Sequence, residues 1–521
     1  MCGIFWYILN NNEEDALNNF MKLKHRGPDN TSHIIINNNF LGTHRLAIIN
    51  NSSSGNQPLI KDDTYLICNG QIYNYLDFEN NDQLRTDVDI ILNLFCNKVY
   101  DSIDNLVYNL DGDFSFVMVK NNDIYIARDP IGVRPLFYGI DKNGKIICAS
   151  SEVKAIKDLN DVESCHVFPP GHVYDSISKK IRSYTDIYIN PNNNILLTYN
   201  ECLDIIRLKL RKAIYKRITN SDRPIAFLCS GGIDSSIILS IAYDILDSLG
   251  KTDLMHMFSM SYNKENSRSD DSFYATLLAR EYNIKHTQVS FTWEDVINNI
   301  KNIALHIETY DPNTIRASVP MYFLAKYIKE NTDYKVILSG EGADELFMGY
   351  NIFMKAADPE LANDETKRLI RNIHMFDTLR ADRCFNAHGL EIRVPFLDID
   401  FCRSIFQING IYKLYSNGIE KKLLRDAFSD IVQLSNARIL DRAKERFSDG
   451  CGFSYVPDLL RYWTPEDVPN SGILSTKEKY EKETYKKWFD ENYNNLEHLI
   501  IKRTNPSWCN NLLVNDTLLS I

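Results

Sequence analysis

Residues 230 to 236 read Ser230-Gly231-Gly232-Ile233-Asp234-Ser235-Ser236 and lie between two apolar runs, Ile225 to Cys229 and Ile237 to Ala242. A short β-type run, a turn of small residues and a helical run point backbone N–H groups and the positive end of a helix at an anion. The glycines let the backbone approach oxygen atoms closely, and the serine hydroxyls add donors. Asp234 is anionic and so suits a metal ion better than a phosphate. Because no lysine follows the glycines, the stretch is not a Walker A loop but predicts a phosphate-binding loop of another kind.

A second stretch of the same character, Ser339-Gly340-Glu341-Gly342-Ala343-Asp344-Glu345, directly follows the apolar run Val336 to Leu338. Two Gly-rich acidic loops at the ends of two predicted strands suggest one shared site for nucleotide phosphates and a Mg²⁺ ion. Asp234 and Asp344 are the candidate metal ligands, since Mg²⁺ prefers one or two carboxylates together with phosphate oxygens and water.

From about residue 200 onward, β-type runs alternate with helical runs, which predicts an α/β domain with a mostly parallel sheet and helices on both faces. Ligands of such sheets bind beyond the carboxyl ends of the strands, where both Gly-rich loops fall. The predicted strands are Ile225 to Cys229, Leu254 to Met260, Lys285 to Phe291 and Tyr334 to Leu338. The C-terminal part is predicted to be helical, with one helical stretch from Asn363 to Asn386 and a charged tail after Ser475.

Up to about residue 190 the pattern is short β-type runs with two helical stretches, near Glu13 to Lys24 and Asp87 to Asn97, and it predicts an α+β domain. The predicted strands are Ser32 to Ile36, Tyr65 to Cys68, Phe114 to Val119, Ile124 to Ala127 and Ile146 to Ala149. Asn190-Pro191-Asn192-Asn193-Asn194 marks the best boundary, ahead of an amphipathic stretch from Asp204 to Ile218. We therefore expect one domain at residues 1–190 and a second at residues 200–521.

The composition of the 521 residues is that of a globular protein, with 44% hydrophobic and 24% charged residues. The net charge of −11 makes a nucleic-acid backbone an unsuitable main partner. No run approaches about 18 uninterrupted apolar residues, so no membrane span is expected. The 11 cysteines form no C-x-x-C pair, which argues against a zinc site and a disulfide framework and favours reduced thiols in the cytoplasm. The sequence leaves the oligomeric state open, a homodimer included.

Cys2 stands one residue from the start of the chain, immediately before an apolar run from Ile4 to Leu9. If Met1 is removed, Cys2 carries both a thiol and a free α-amine, and the amine can serve as the base that activates the sulfur. A single residue would then supply nucleophile and base.

The chain resembles the class II glutamine amidotransferases at Cys2 and at three further segments, Lys24 to Asp29, Thr43 to Asn50 and Asn69 to Asn74. The resemblance implies an N-terminal-nucleophile (Ntn) fold of two sheets between helices. It also implies that Asn69 and Gly70 stabilise the oxyanion, that Arg45 binds the α-carboxylate of glutamine, and that Asp87 binds its α-ammonium group. The glutamine-binding residues implied are Arg45, Leu46, Ala47, Ile48, Ile49, Asn69, Gly70, Gln71 and Asp87.

The chain departs from that family at three positions. Gln71 stands where Glu is usual, so one contact to the substrate ammonium loses its charge. Trp6 stands where Gly is common, and Asn50 where Asp is common. We expect these changes to tune glutamine binding without abolishing it.

The loop at residues 230–236 resembles the PP-loop of ATP pyrophosphatases. This resemblance implies that Asp234 and Asp344 bind the metal and that Arg316, Glu341 and Asp344 serve aspartate and the intermediate. Glu341 would be the acid needed for adenylation and for accepting the amine proton. The nucleotide contacts implied are Cys229, Ser230, Gly231, Gly232, Asp234, Ser235, Met260, Ser339, Gly340 and Lys444.

With the segments His306 to Asp311, Thr314 to Ser318 and Glu391 to Asp398, the chain resembles the glutamine-hydrolysing asparagine synthetases over most of its length, about residues 2–460. This family resemblance implies that ATP, aspartate, glutamine and water give asparagine, glutamate, AMP and pyrophosphate. The route would run through a Cys2 thioester, internal ammonia transfer and β-aspartyl-AMP. Two alternatives stay open: a related amide-forming ligase with another carboxylate acceptor, and a catalytically silent binding protein that keeps the fold.

Overall fold

The computed structural model describes residues 1–10, 12–79, 84–188, 197–263, 270–416, 418–444, 450–452, 474–504, 506 and 508, and within 474–480 the backbone alone. Most of the predicted boundary at residues 190–200 therefore lies outside the described residues.

The first half of the chain forms two antiparallel sheets of six strands each. The first sheet contains β1 (Gly3–Ile8), β2 (Asn30–Ile36), β3 (Asn39–Arg45), β8 (Phe137–Ile140), β9 (Ile146–Ser150) and β10 (Ser164–Val167), in the order β10-β8-β9-β1-β3-β2. The second contains β4 (Leu59–Lys61), β5 (Thr64–Ile72), β6 (Gly112–Lys120), β7 (Asp123–Arg128), β11 (His172–Asp175) and β12 (Lys180–Ser183), in the order β12-β11-β7-β6-β5-β4.

The two sheets pack face to face because apolar side chains alternate along their strands. Trp6 of β1 shares one buried cluster with Ile67 of β5 and Val117 of β6. Phe5, its neighbour on β1, points the other way and packs with Phe20 of helix α1 (Glu13–Met21). Helices α2 (Asp89–Cys96) and α3 (Ile103–Tyr108) cover the outer face of the second sheet. The arrangement confirms the predicted Ntn fold of two sheets between helices.

The second half of the chain is built on a fully parallel sheet of five strands. They are β13 (Ile225–Leu228), β14 (His256–Tyr262), β15 (Lys285–Phe291), β16 (Val336–Leu338) and β17 (Glu391–Arg393), in the order β15-β14-β13-β16-β17. The chain runs outward from β13 to β15 and then returns to β16 on the other side of β13. The carboxyl ends of β13 and β16 thus flank the point where the strand order reverses, which is where open α/β sheets bind ligands.

Helices cover both faces of this sheet, as predicted. The described helices of the second half are α4 (Tyr199–Thr219), α5 (Ile233–Ser248), α6 (Asp270–Tyr282), α7 (Trp293–Ile307), α8 (Pro312–Asn331), α9 (Ala343–Leu346), α10 (Pro359–Asn372), α11 (Asp377–Asn386), α12 (Ile399–Phe406), α13 (Lys422–Ala427), α14 (Val432–Asn436) and α15 (Leu474–Asn492). Phe227 of β13 packs with α4, α5 and α6 on one face, and its neighbour Ala226 with α7 and α8 on the other. None of the described helices is long and apolar enough to cross a membrane.

The predicted single helical stretch from Asn363 to Asn386 is wrong, because the chain breaks between α10 and α11. A short 3-10 turn follows α10, and Phe376 then leaves the helical conformation with φ −126° and ψ −90°. The hydroxyl of Thr378 donates to the carbonyl oxygen of Ile373 at 3.0 Å and stabilises the break.

Buried ion pairs join the two halves. Arg217 of α4 lies 3.2 Å from Asp113 of β6, and Arg26 lies 2.8 Å from Asp382 of α11. All four side chains are at most 5% exposed, so water screens these pairs little.

Candidate active sites

Cys2 directly precedes β1 and is 7% exposed. Its backbone N–H donates to Oδ1 of Asn69 on β5 at 2.9 Å, which joins the two sheets at the predicted nucleophile. Burial is the largest effect on the thiol and raises the pKa of Cys2. A thiol of raised pKa needs a base beside it, which fits the predicted use of the Cys2 α-amine.

The side-chain amide nitrogen of Asn69, Nδ2, is buried. It has no hydrogen-bond partner in the part of the chain that the structure describes. Because Oδ1 of the same amide accepts a hydrogen bond from the Cys2 nitrogen, the orphan donor lies close to Cys2, the predicted nucleophile. An unpaired donor fixed in advance is what stabilisation of an oxyanion requires. The next residue, Gly70, has no room for a side chain, since a Cβ there would lie 2.4 Å from the carbonyl oxygen of Asp113.

Gln71 lies on the same face of β5 as Asn69, because side chains two apart on a strand share a face. It is 5% exposed, and its Oε1 has no hydrogen-bond partner among the described residues. An amide oxygen accepts a hydrogen from an ammonium group. Gln71 can therefore keep one contact to the glutamine α-ammonium group, without the charge of the usual Glu.

Arg45 at the end of β3 holds the following loop together. Its guanidinium donates to the carbonyl oxygens of Ile49, Asn50 and Ser52 and to Oδ1 of Asn56. Burial lowers the pKa of Arg45. The predicted contact of this cation with the glutamine carboxylate stays a prediction.

The residues that follow Arg45 face the parallel sheet of the second half. Leu46 and Ile48 form a buried cluster with Val336 of β16, and the N–H of Ala47 donates to Asp29 at 2.8 Å. The side chains of Leu46 and Ile48 serve this packing, and their glutamine contacts stay a prediction.

Asp87 is 3% exposed, and its Oδ2 accepts a hydrogen bond of 2.8 Å from the N–H of Ile72 at the end of β5. Burial raises the pKa of Asp87 to about 7. Its charge near neutral pH is thus sensitive to a nearby cation, as expected of a group that binds an ammonium ion.

The loop after β13 has the shape of a phosphate cradle. Gly231 has φ +70°, and a Cβ there would lie 2.5 Å from Cβ of Tyr274. The N–H of Gly232 donates to Oγ of Ser230, and α5 begins at the next residue with its positive end toward the loop. This turn requires glycine and aims backbone donors at one place.

The second Gly-rich loop meets the first across a shared cavity of about 410 Å³. A Cβ on Gly340 would lie 3.1 Å from the backbone nitrogen of Ser235, so the loops are in contact. Every residue predicted for ATP or aspartate lines this cavity except Gly231. The sheet topology thus brings together two stretches that are about a hundred residues apart in the sequence.

Asp234 and Asp344, the two predicted metal ligands, are bridged by the ammonium group of Lys421. Lys444 is paired with Asp344 as well. Burial raises the pKa of Asp234, whereas at Asp344 the two lysines outweigh burial and lower the pKa. Oδ1 of Asp234 is buried and has no hydrogen-bond partner among the described residues. Two carboxylates at a phosphate-sized cavity, one with an orphan oxygen, fit a Mg²⁺ ion.

Two arginines complete the cavity. Arg380 of α11 lies 2.7 Å from Oε2 of Glu341, and burial raises the pKa of Glu341. Arg316 of α8 forms a two-pronged ion pair with Glu481 of α15. The predicted acid and the predicted acceptor-binding cation both line the cavity and are oriented by buried partners.

Comparisons with known proteins agree across the chain. The family model described as a glutamine amidotransferase domain matches residues 1–168, and the one described as asparagine synthase matches residues 206–367 and 358–498. A glutamine-hydrolysing asparagine synthetase of Homo sapiens is 33% identical over 571 residues, covering 98% of this chain and 97% of that protein. The chain belongs to the asparagine synthetase family.

Other similar asparagine synthetases come from a virus and a plant. A probable glutamine-hydrolysing asparagine synthetase of Acanthamoeba polyphaga mimivirus is 34% identical over 543 residues and covers 96% of both proteins. Glutamine-hydrolysing asparagine synthetase 1 of Lotus japonicus is 36% identical over 482 residues, covering 88% of this chain and 80% of that protein.

Trp6 and Asn50, two of the departures from the usual residues of the family, have clear structural roles. Trp6 is fully buried between the sheets, and its Nε1 donates to Oδ1 of Asn39 at 2.9 Å. Asn50 has φ +55°, which Asn tolerates better than most residues, and its Nδ2 donates to the carbonyl oxygen of Arg85 at 2.7 Å. Trp6 thus supports sheet packing, and Asn50 holds the loop that surrounds Arg45.

Sequence reasoning missed Lys421, Arg380 and Glu481 among the charged residues of this asparagine synthetase site. Lys421 is one of two adjacent lysines far from both Gly-rich loops, and Arg380 lies in a stretch predicted only to pack. Glu481 comes from the charged tail. No local pattern marks such residues, and only a prediction of which helices converge on the cavity could have found them.

Proposed function

We propose that the chain makes L-asparagine from L-aspartate, taking nitrogen from L-glutamine and energy from the cleavage of ATP to AMP and pyrophosphate. The orphan amide donor of Asn69 beside Cys2 carries this proposal, because a chain with only a synthetase cavity would need no such site. We assign the glutamine reaction to residues 1–190 and the ATP reaction to residues 200–521.

In the first site, Sγ of Cys2 attacks the side-chain carbonyl carbon of glutamine. The carbonyl oxygen becomes negative and accepts hydrogen bonds from Nδ2 of Asn69 and the N–H of Gly70. The α-amine of Cys2 takes the thiol proton and gives it to the departing nitrogen, so ammonia leaves and a thioester remains. Water then hydrolyses the thioester to glutamate.

Removal of Met1 is part of this proposal. The Met1 ammonium group is buried 3.3 Å from Oε2 of Glu391, and the Cys2 nitrogen is a peptide nitrogen while Met1 is present. Mass spectrometry of the active protein should find an N-terminal peptide that begins at Cys2 and not at Met1.

In the second site, a side-chain carboxylate oxygen of aspartate attacks the α-phosphorus of ATP, and pyrophosphate leaves. Ammonia from the first site then attacks the new acyl carbon, AMP leaves, and Glu341 accepts the proton that the nitrogen loses. Burial raises the pKa of Glu341, which makes its carboxylate a stronger proton acceptor than an exposed glutamate. We assign Arg316 to an aspartate carboxylate and Lys444 to pyrophosphate, because both cations line the cavity.

Asp234 and Asp344 would hold Mg²⁺ in this site, where the ion would neutralise charge on the phosphate oxygens. We place the reaction in the cytoplasm, since all ten cysteines that the structure describes have free thiols. A reducing compartment preserves such thiols.

The decisive experiment supplies the purified chain with aspartate, glutamine, ATP and Mg²⁺ and measures asparagine, AMP and pyrophosphate. A Cys2→Ala variant should lose glutamine as a nitrogen source and keep ammonia, while a Cys96→Ala variant should use both. Formation of AMP with another carboxylic acid but not with aspartate would favour the alternative ligase. Absence of product from both nitrogen sources in the folded wild type would contradict the proposal.

A further inference from the structure

Lys421 is a buried cation held by both predicted metal ligands. Its side chain is 1% exposed, and Nζ lies 2.5 Å from Oδ2 of Asp234 and 2.5 Å from Oδ1 of Asp344. The carboxylates follow different strands of the sheet, so the ammonium group ties the two Gly-rich loops together.

The surrounding backbone is shaped to admit this lysine. A Cβ on Gly349 would lie 2.0 Å from Oδ1 of Asp344 and 2.1 Å from Cε of Lys421, so only glycine leaves room for the pair. Lys421 itself has φ +53°, a left-handed conformation that is unfavourable for lysine. Strained backbone of this kind persists only where the surrounding structure holds it in place.

A divalent cation and this ammonium group cannot occupy the same place. A Mg²⁺ ion bound by Asp234 and Asp344 would lie about 2.0–2.1 Å from their oxygens. The lysine nitrogen already lies between those oxygens, and its positive charge repels an approaching cation. Lysine can leave the carboxylates for a phosphate oxygen, since its ammonium group is a point charge on a flexible stem.

We propose that Lys421 is an internal counter-ion that holds the paired carboxylates until a metal–nucleotide complex arrives, so that divalent cations bind here only together with nucleotide. This inference rests on the proposed function of the same cavity. Nζ then turns from the carboxylates to the phosphates. Asp234 and Asp344 thus keep a cation beside them in both states, with Lys444 as a second positive charge on Asp344, and metal loading without ATP is prevented.

Mn²⁺ binding without nucleotide, measured by electron paramagnetic resonance, tests whether Lys421 and a divalent cation exclude each other. A Lys421→Met variant keeps the length of the side chain and removes the charge, so it should bind one Mn²⁺ at least about tenfold more tightly than the wild type. Lys422→Met is the matched control, because Lys422 is paired with Asp426 and is not part of the cavity lining. Adding Asp344→Asn to Lys421→Met should abolish the new Mn²⁺ site.

Equal Mn²⁺ binding by Lys421→Met and the wild type would overturn the counter-ion role. If the Lys421→Met variant does not fold, Mn²⁺ binding by the wild-type protein tests the proposal. The wild type should bind Mn²⁺ at these carboxylates only with a non-hydrolysable ATP analogue, and binding without nucleotide that Asp234→Asn removes would overturn the proposal. Asparagine synthesis by the wild type is a separate readout, so the proposed function can stand if the exchange fails.

Discussion

At the scale of single residues, the clearest sign of chemistry is a buried amide nitrogen on Asn69 that finds no partner among the described residues. A buried donor without a partner costs about 1–3 kcal/mol. Such a group is expected where a ligand supplies the missing acceptor.

Asn69→Ala should lower the glutamine-dependent rate by about 10²–10³-fold, the usual effect of losing one oxyanion donor. The ammonia-dependent rate should not change, because the second site does not use Asn69. Steady-state asparagine formation with each nitrogen source measures both rates. Asn143→Ala, an exposed change in the β8–β9 turn, is the control. An equal loss with glutamine and ammonia would contradict the assigned role.

Asp87 predicts a pH dependence of glutamine use. Burial raises its pKa to about 7, so the group is a carboxylate above this pH and neutral below it. Only the carboxylate attracts the glutamine α-ammonium group. We therefore expect Asp87 alone to make kcat/KM for glutamine fall about tenfold per unit as pH drops below 7. An Asp87→Asn variant should have a low kcat/KM that falls about tenfold less per pH unit than the wild type, because only the Cys2 α-amine then titrates. An unchanged wild-type slope in this variant would assign the titration to another group.

At the scale of elements, helix α15 orients a residue of the cavity that the parallel sheet builds, because its Glu481 pairs with Arg316 of the cavity lining. Glu481 is 6% exposed and holds the guanidinium of Arg316 through both Nε and Nη2. A two-pronged pair fixes the plane of the guanidinium as well as its position.

A Glu481→Gln variant should raise KM for aspartate about tenfold, because a neutral amide orients the Arg316 guanidinium less firmly. The glutaminase rate should stay at the wild-type value. Kinetics with varied aspartate and saturating ATP measure the change. Glu483→Gln, an exposed change on the same helix, should have no effect. A Glu481→Gln enzyme with unchanged aspartate KM would show that the pair is only structural.

At the scale of the whole molecule, Arg26 ties the backbone of Cys2 to the half of the chain that holds the cavity. Its Nε donates to the carbonyl oxygen of Cys2 at 3.1 Å, and its two terminal nitrogens lie 2.8 and 3.1 Å from the carboxylate of Asp382. Glu152 contacts the same guanidinium at 2.6 Å. A shift of α11 would therefore reach the backbone of Cys2.

An Asp382→Asn variant should lower the free energy of unfolding by about 3 kcal/mol, the lower end expected for a broken buried pair, since Glu152 remains. It should also hydrolyse more glutamine per asparagine formed. Thermal unfolding and the glutamate-to-asparagine ratio measure the two effects. The control is Asp158→Asn, which breaks an exposed ion pair with Lys22. It should lower the free energy of unfolding by at most about 1 kcal/mol. Equal losses in the two variants would contradict the role of the buried pair.

The sequence by itself predicted the two fold classes, nine of the 17 described strands and the character of the two loops. Short β-type runs predicted those strands, and the motifs around Cys2, Ser230 and Ser339 marked the predicted nucleophile, phosphate-binding loop and acidic loop. These features are local, because a strand period or a glycine turn depends on neighbouring residues alone. The continuous helix predicted across Phe376 failed because a local pattern did not reveal the break.

Only the tertiary structure decided which charges meet. Lys421 and Arg380 line the cavity, and Glu481 reaches Arg316 of its lining, because the strand order reverses at β13, α11 packs against β17, and α15 packs against α7 and α8. Arg26 meets Asp382 from more than 350 residues away. Coulomb interaction depends on distance and burial in space and not on separation along the chain, so the partners that orient the site could not be predicted from the sequence pattern.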